Sequence, residues 1–327
     1  MEEGGDAWGA WLAAITEFRE ALAAVLGGTA AHYCPQANLS SGLAKLLPAL
    51  PRSARRVLLA AEDAFPSLVF VLGAAERSGY SSRLIPARED PALLATWDRA
   101  LTPDVAAVLV THVHSNTGAK APAADIAALC RARGITSIVD VAQSAGIVPL
   151  SVVELDADAV LGSCIKWLCG GPGAGFLWVN PAVLPTLEPV DVGWFSHEDP
   201  FEFDVHSFRY APDARRFWGG TPTVAPYAVA AESLRVLRDI GIPRMAAHNR
   251  RLTAAFHAAL PERWRAGYAP DRQGGTVCMD LGGDFDRIMA TLRAKSVRCD
   301  ARGSVVRLSF HIYNTIDDAV SVAGCWS

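Results

Sequence analysis

Short apolar runs alternate with helix-length stretches through much of this chain, and that alternation narrows the fold more than any other feature. Arg56 to Ala61 reads as a strand ending at Glu62-Asp63-Ala64-Phe65-Pro66-Ser67, followed by a helix from Leu68 to Ser78 that Gly79 stops. Val105 to Val113 is a second apolar strand. Asp125 to Arg133 reads as a helix ending at Gly134, and Ile135 to Asp140 as a buried strand with a carboxylate at its C-terminal end. Ala157 to Leu161 and Gly175 to Val179 add two more strands. Strands separated by helices predict an α/β fold with an open, mostly parallel sheet. Ligands bind such sheets beyond the C-terminal strand ends, which is where Asp140 falls.

The pattern changes after about Thr221. Pro226 to Ile240 and Pro243 to Leu260 read as long helices, and Gly275 to Leu281 and Ser304 to Phe310 as strands. This predicts a large domain over residues 1–230 and a smaller C-terminal α+β domain over 231–327, a division that suits 327 residues. Trp8 to Leu26 carries apolar positions at helical spacing. A net charge of −4 with no basic run argues against nucleic acid as a partner. The acidic opening lacks the features of a signal peptide, and no apolar run is long enough to span a membrane. Seven scattered cysteines without a CxxC pair predict reduced thiols, no metal site and a cytoplasmic location.

Lys166 stands alone among small and apolar residues, in Gly162-Ser163-Cys164-Ile165-Lys166-Trp167-Leu168-Cys169-Gly170-Gly171-Pro172-Gly173. Burial would lower its pKa and prepare it to form a Schiff base with an aldehyde. An ordinary lysine whose tip reaches water fits the same residues. Asp140 could hold a pyridine nitrogen protonated, or could cap a helix through Asp140-x-x-Gln143. The glycines of Gly170 to Gly175 precede a strand, so they are not a dinucleotide fingerprint. His112 and His114 share a face of a strand but have no third metal ligand nearby, which favours packing or substrate contact.

Five segments, in order along the chain, resemble the class V, fold-type I pyridoxal 5'-phosphate (PLP) enzymes, and kynureninases in particular. They are Ala64-Phe65-Pro66-Ser67, Val139 to Gly146, Lys166 to Gly173, Val192-Gly193-Trp194-Phe195-Ser196-His197 with Pro200 to Asp204, and Arg215 to Pro222. The resemblance runs from about residue 35 to residue 318. It implies a fold-type I PLP-dependent transferase-like architecture and the following roles. Phe65 stacks on the pyridine face, Asp140 pairs with the ring nitrogen and Gln143 sits near the ring hydroxyl. Lys166 carries the cofactor and then shuttles the Cα proton. Ser40 and Ser41, ahead of a helix-like Gly42 to Leu47, and Ser163 offer donors to the phosphate. Trp194 and Thr221 reach the phosphate of a neighbouring subunit, which implies a homodimer. Arg307, in Val306-Arg307-Leu308-Ser309-Phe310-His311-Ile312-Tyr313-Asn314-Thr315, resembles the arginine that clamps the substrate carboxylate.

The sequence departs from the kynureninase pattern at Ile165, where a tyrosine is usual, and at Leu68, where an aspartate is usual. Nothing before Trp8 resembles that family's Leu-Asp-Gly-Asn-Ser-Leu-Gly segment. The expected activity is removal of the Cα proton of an amino acid, with hydrolytic Cβ–Cγ cleavage first among its outcomes. Class V aminotransferase and β- or γ-lyase or replacement reactions share that first step. A PLP-fold binding protein that has lost catalysis is the alternative of a different class.

Overall fold

The computed structural model describes residues 7–51, 53–265 and 269–327; the acidic opening, Met1 to Asp6, lies outside the described residues. The main sheet has seven strands: β1 (Tyr33–Gln36), β2 (Val57–Ala61), β3 (Ser81–Ile85), β4 (Val105–Thr111), β5 (Thr136–Asp140), β6 (Ala159–Ser163) and β7 (Gly175–Val179). Their order is β1-β7-β6-β5-β4-β2-β3. The five strands from β3 to β6 in this order run parallel, and β7 runs antiparallel to both β6 and β1. Helices Pro66–Ala74, Leu94–Ala100, Ala123–Ala132 and Val152–Leu155 cover the parallel connections. Only the loop 164–174 joins β6 to β7. That is short for a crossover, so the chain doubles back instead. The loop that reverses the sheet is the one that carries Lys166.

Strands β2 and β7 are buried at every position, which explains their unbroken apolar sequences. Helix Ala7–Leu26 buries Ile15, Phe18, Leu22 and Leu26, and stacks Phe18 on Tyr227 of helix Ala225–Ile240 with ring centres 5.1 Å apart. Its Arg19 reaches Asp213 at 2.9 Å. No helix among the described residues is long and apolar enough to cross a membrane. All seven cysteines are free.

A second, antiparallel sheet is formed by β8 (Thr276–Asp280), β9 (Asp300–Arg302) and β10 (Val305–Ser309), in the order β8-β10-β9. Val277, Met279, Val306 and Leu308 point into a separate core with Phe256, Leu292 and Trp326. The larger core draws on residues as far as Met245, and the smaller one begins at Leu252. Both cores meet along helix Ile242–Ala259. Residue 230 falls inside helix Ala225–Ile240, whose buried Ala230, Leu234 and Leu237 belong to the larger core.

Gly162 of β6 lies opposite Phe176 of β7, and a Cβ at Gly162 would fall within the space of the Phe176 ring. Gly162→Ala therefore forces that fully buried ring to move, and should destabilise the fold by about 2 kcal/mol, as overpacking does. The shift in the urea unfolding midpoint measures it, and an unchanged midpoint would show that the ring relaxes freely.

Candidate active site

Three parallel strands deliver the candidate residues at their C-terminal ends; β5 and β6 are neighbours, and β4 separates them from β2. Strand β2 leads to Phe65, which precedes the helix Pro66–Ala74; β5 ends on Asp140; β6 ends on Ser163, three residues before Lys166. The Lys166 Nζ stands 5.5 Å from the centre of the Phe65 ring. The reversing loop is pinned by hydrogen bonds from Cys164 N to Ala174 O (2.8 Å) and from Gly170 N to Cys164 O (2.6 Å).

Asp140 is only 5% exposed. Its Oδ1 accepts from Ala142 N at 2.8 Å, so the side chain closes a turn; the helix that Asp140 could have capped does not form, and the next one starts at Val152. Among the described residues the Asp140 carboxylate makes no ion pair. Burial pushes its pKa up, opposed by the Ala142 N–H, Lys166 and His114. Burial likewise pushes Lys166 down, opposed by Asp140 and assisted by Arg307 and Arg302. Lys166 is therefore more readily a free amine than a surface lysine is.

The small sheet closes the site from the other side. The alternation that sends Val306 and Leu308 into the core turns Val305, Arg307 and Ser309 toward the large domain. Register sets Cys278 and Asp300 on either side of Arg307, and Arg302 beside Val305. Arg307 pairs with the exposed Asp300, and its Nε is buried without a hydrogen-bond partner. Arg302 donates to Ser115 Oγ and Asn116 Oδ1, both at 2.7 Å, and lies 5.6 Å from the Phe65 ring centre. Gln143, Lys166, Cys169, Arg302, Arg307 and His311 share one cavity of about 320 Å³.

Other expected residues stand apart from that cavity. Ser40 and Ser41 lie within the first turn of helix Leu39–Ala49, not ahead of a helix, because Asn38 caps it by accepting from Ser41 N at 2.9 Å. Gly175, paired with Ser163, packs against Asn38, so Ser163 and this helix start occupy the same end of the sheet. Trp194 Nε1 donates to Thr221 Oγ1 at 3.3 Å, and Trp194 lines a separate cavity of about 310 Å³ with Phe203 and Phe208. The strand stops at Thr111, so His112 and His114 do not act as a pair: His112 Nδ1 meets Ser144 Oγ at 2.9 Å, and His114 Nδ1 approaches Asp63 Oδ2 at 2.9 Å, off the hydrogen-bond axis. No group of three or more metal-ligating side chains occurs among the described residues. The sequence reading missed Arg302; the signal was Gly303, whose φ of 57° turns the hairpin and aligns Arg302 with the face that carries Arg307.

A family model described as aminotransferase class-V matches residues 43–322. The chain belongs to that family. It is 29% identical over 315 residues to the uncharacterized aminotransferase YcbU of Bacillus subtilis, covering 94% of this chain and 82% of that one. It is 34% identical over 250 residues to a kynureninase of Deinococcus radiodurans, covering 75% of this chain and 59% of that one. The solved structure of the cystine C-S lyase C-DES, in complex with its product cysteine persulfide, superposes with a TM-score of 0.85 at 23% identity, covering 99% of this chain and 90% of that one. The fold is fold-type I, and the cofactor of this class V chain is pyridoxal 5'-phosphate.

The residues fit that group. A buried carboxylate without a cation partner suits a protonated pyridine nitrogen. The Phe65 ring offers a flat face on the Lys166 side, and Ser163 and the helix start at Asn38 offer donors for a phosphate. In the cofactor-free class V chain, Arg307→Met removes a charge that disfavours the Lys166 ammonium, so the Lys166 pKa should rise. Asp140→Asn removes one that favours it, so the pKa should fall. Shifts of about one unit are expected, read from the pH dependence of Lys166 carbamylation by cyanate. Shifts of the opposite sign would contradict the assigned electrostatics.

Proposed function

We propose that this class V enzyme binds an α-amino acid, removes its Cα proton with Lys166 and carries it to kynureninase-type hydrolysis of the Cβ–Cγ bond. The observation that carries the first two steps is the shared cavity, in which the Lys166 amine and the Arg307 guanidinium face one space beside Gln143. The cofactor supplies an aldehyde that bonds to amines and a ring that accepts the electron pair freed at Cα. Arg307 exchanges the exposed Asp300 for the substrate carboxylate, which it can hold through two parallel hydrogen bonds. That fixes Cα near Lys166, whose lowered pKa suits a general base. Asp140 keeps the ring nitrogen protonated from the buried side of the sheet.

Support for Cβ–Cγ hydrolysis is the ordered resemblance to kynureninases and the Deinococcus relative. Transamination is the second reading, favoured by Ile165, which offers no hydrogen bond where kynureninases place a tyrosine, and by the aminotransferase-named relative that matches 94% of the chain. Purified protein with PLP should show the visible absorbance of lysine-bound cofactor, and Lys166→Ala should lack it; a wild type without the band would overturn the proposal. A spectral screen of amino acids, with product analysis on each hit, separates the two outcomes. Arg307→Ala should weaken the binding of any amino acid that changes the spectrum by about tenfold to a hundredfold, the worth of a charged hydrogen bond. Unchanged affinity would remove Arg307 from the site.

The proposed assembly is a homodimer. Phe203 (71% exposed) and Val205 (89%), with Val190, Val192, Phe201 and Phe208, leave an apolar surface around Trp194. A patch of this kind marks an interaction surface, and the expected occupant is a second copy of the chain. Phe203→Asp combined with Val205→Asp should shift sedimentation from dimer to monomer; a dimer that survives both changes would place the interface elsewhere.

A further inference from the structure

Cys169 holds a left-handed backbone conformation, φ 52°, that residues with a Cβ adopt at a cost. A glycine would relieve it, and glycines follow at once in Gly170 and Gly171. What the position gains from a side chain is a thiol exposed on the cavity of Lys166 and Arg307. The Sγ lies 3.7 Å from His311 Nε2 and 3.8 Å from the Trp167 carbonyl oxygen. The His311 ring is held between Trp167, with ring centres 5.6 Å apart, and Tyr313, at 5.3 Å.

His311 is 7% exposed, and its Nδ1 is buried without a hydrogen-bond partner. A bare lone pair is less costly to bury unpaired than an N–H. We therefore assign the ring proton to Nε2, which donates to Sγ, while the thiol S–H donates to Trp167 O. Burial pushes the imidazole down, opposed by the Trp167 backbone, and pushes the thiol up, so both are neutral near pH 7. Lys166, Arg302, Arg307 and Tyr313 are the other charged or titratable groups on this cavity, and His248 acts on His311 from helix Ile242–Ala259.

We propose that Cys169 and His311 form a second proton-donating site, aimed at substrate atoms beyond Cα. This rests on the reading of the Lys166 cavity as an amino-acid site. Lys166 serves Cα and Arg307 the carboxylate, so what remains beside Cys169 is the substrate side chain. The Sγ–H bond breaks, and its proton goes to the side-chain atom that keeps the electron pair of the cleaved bond. The thiolate is held by the Nε2–H until water returns a proton to it. Charge and electrons balance with no further reagent. The substrates implied are amino acids whose side chain must take up a proton as a bond to it breaks.

The test uses PLP-loaded enzyme, iodoacetamide as probe and peptide mass spectrometry of Cys169 across about pH 6 to 10. Wild type should label at Cys169. Aminooxyacetate, whose capture by the cofactor bleaches the visible band and fills the substrate position, should slow that labelling about tenfold. His311→Phe keeps a stacking ring and removes the N–H, so the pH midpoint of labelling should rise by about one unit. His311→Gln, which can donate from its amide, should recover part of the shift, and His311→Leu replaces His311→Phe if the latter is unstable. An unlabelled Cys169, no protection by aminooxyacetate, or an unmoved midpoint in His311→Phe each overturns the proposal. Failure of the Lys166 reading looks different: the visible band never forms in wild type, while the thiol–imidazole coupling remains measurable.

Discussion

Burying a carboxylate without a cation is expensive, and Asp140 at the end of β5 meets that condition. Its polar support from the protein is the Ala142 N–H. Lys166, whose charge Asp140 favours, is driven toward its neutral form by burial and by Arg307 and Arg302. No ion pair joins the two among the described residues, which leaves a buried carboxylate and an amine held toward its free form. In the proposed function a protonated pyridine nitrogen would supply the cation that Asp140 lacks, and the aldehyde would take the amine that Lys166 offers. The reversal of the sheet at β7 follows the same logic. A short return loop holds Lys166 over the strand ends, where a long crossover helix would have carried it away.

The small domain completes the site through the two-residue period of β10. The same alternation that anchors Val306 and Leu308 in the second core presents Arg307 to the cavity, so the proposed clamp is backed by that core. Arg302 ties the sheet to the large domain through Ser115 and Asn116 and covers the Phe65 ring. Asp300 occupies Arg307 from the solvent side. An exposed carboxylate is a weak competitor, since solvent screening leaves such pairs worth little. The proposed substrate carboxylate, held deeper in the cavity, would displace it.

Legibility in the sequence tracked burial. Strands β2, β4 and β7 could be read because both faces are covered and their sequences are almost wholly apolar, and β5 because buried Ile138 and Val139 lead to Asp140. Strands β1 and β3 could not: they are the two sheet edges, one carries Pro35, and the other is largely exposed through Ser81 and Ser82. The start of helix Leu39–Ala49 was misplaced because Gly42 looks like a break, whereas Asn38 sets the cap. Lys166, Asp140 and Arg307 stood out because each sits in a segment with a recognisable order of residues, and the fold brings Lys166 and Arg307 to one cavity. Arg302 with Ser115, Cys169 with His311, and Asp63 with His114 did not. Their partners lie far away along the chain, and only the packing of the small sheet against the large one, or of neighbouring strand ends, brings them together.

The two departures from the kynureninase pattern have unequal consequences. Leu68 is 1% exposed, on the buried side of helix Pro66–Ala74, so an apolar residue there joins the core and costs the fold nothing. Ile165 is 53% exposed beside Lys166. An isolated exposed isoleucine is ordinary on a surface, but this one adjoins the lysine proposed to hold the cofactor. It replaces a potential hydrogen-bond donor with an apolar face at the rim of the site. The groups proposed to manage Cα and the ring lie on or just beyond strand ends and on β10, where the core fixes them. The groups proposed to act on the substrate side chain lie on the reversing loop, where one residue can change without moving a strand. Divergence of reaction within a constant cofactor frame is therefore expected at Ile165 and Cys169 before it is expected at Asp140 or Arg307.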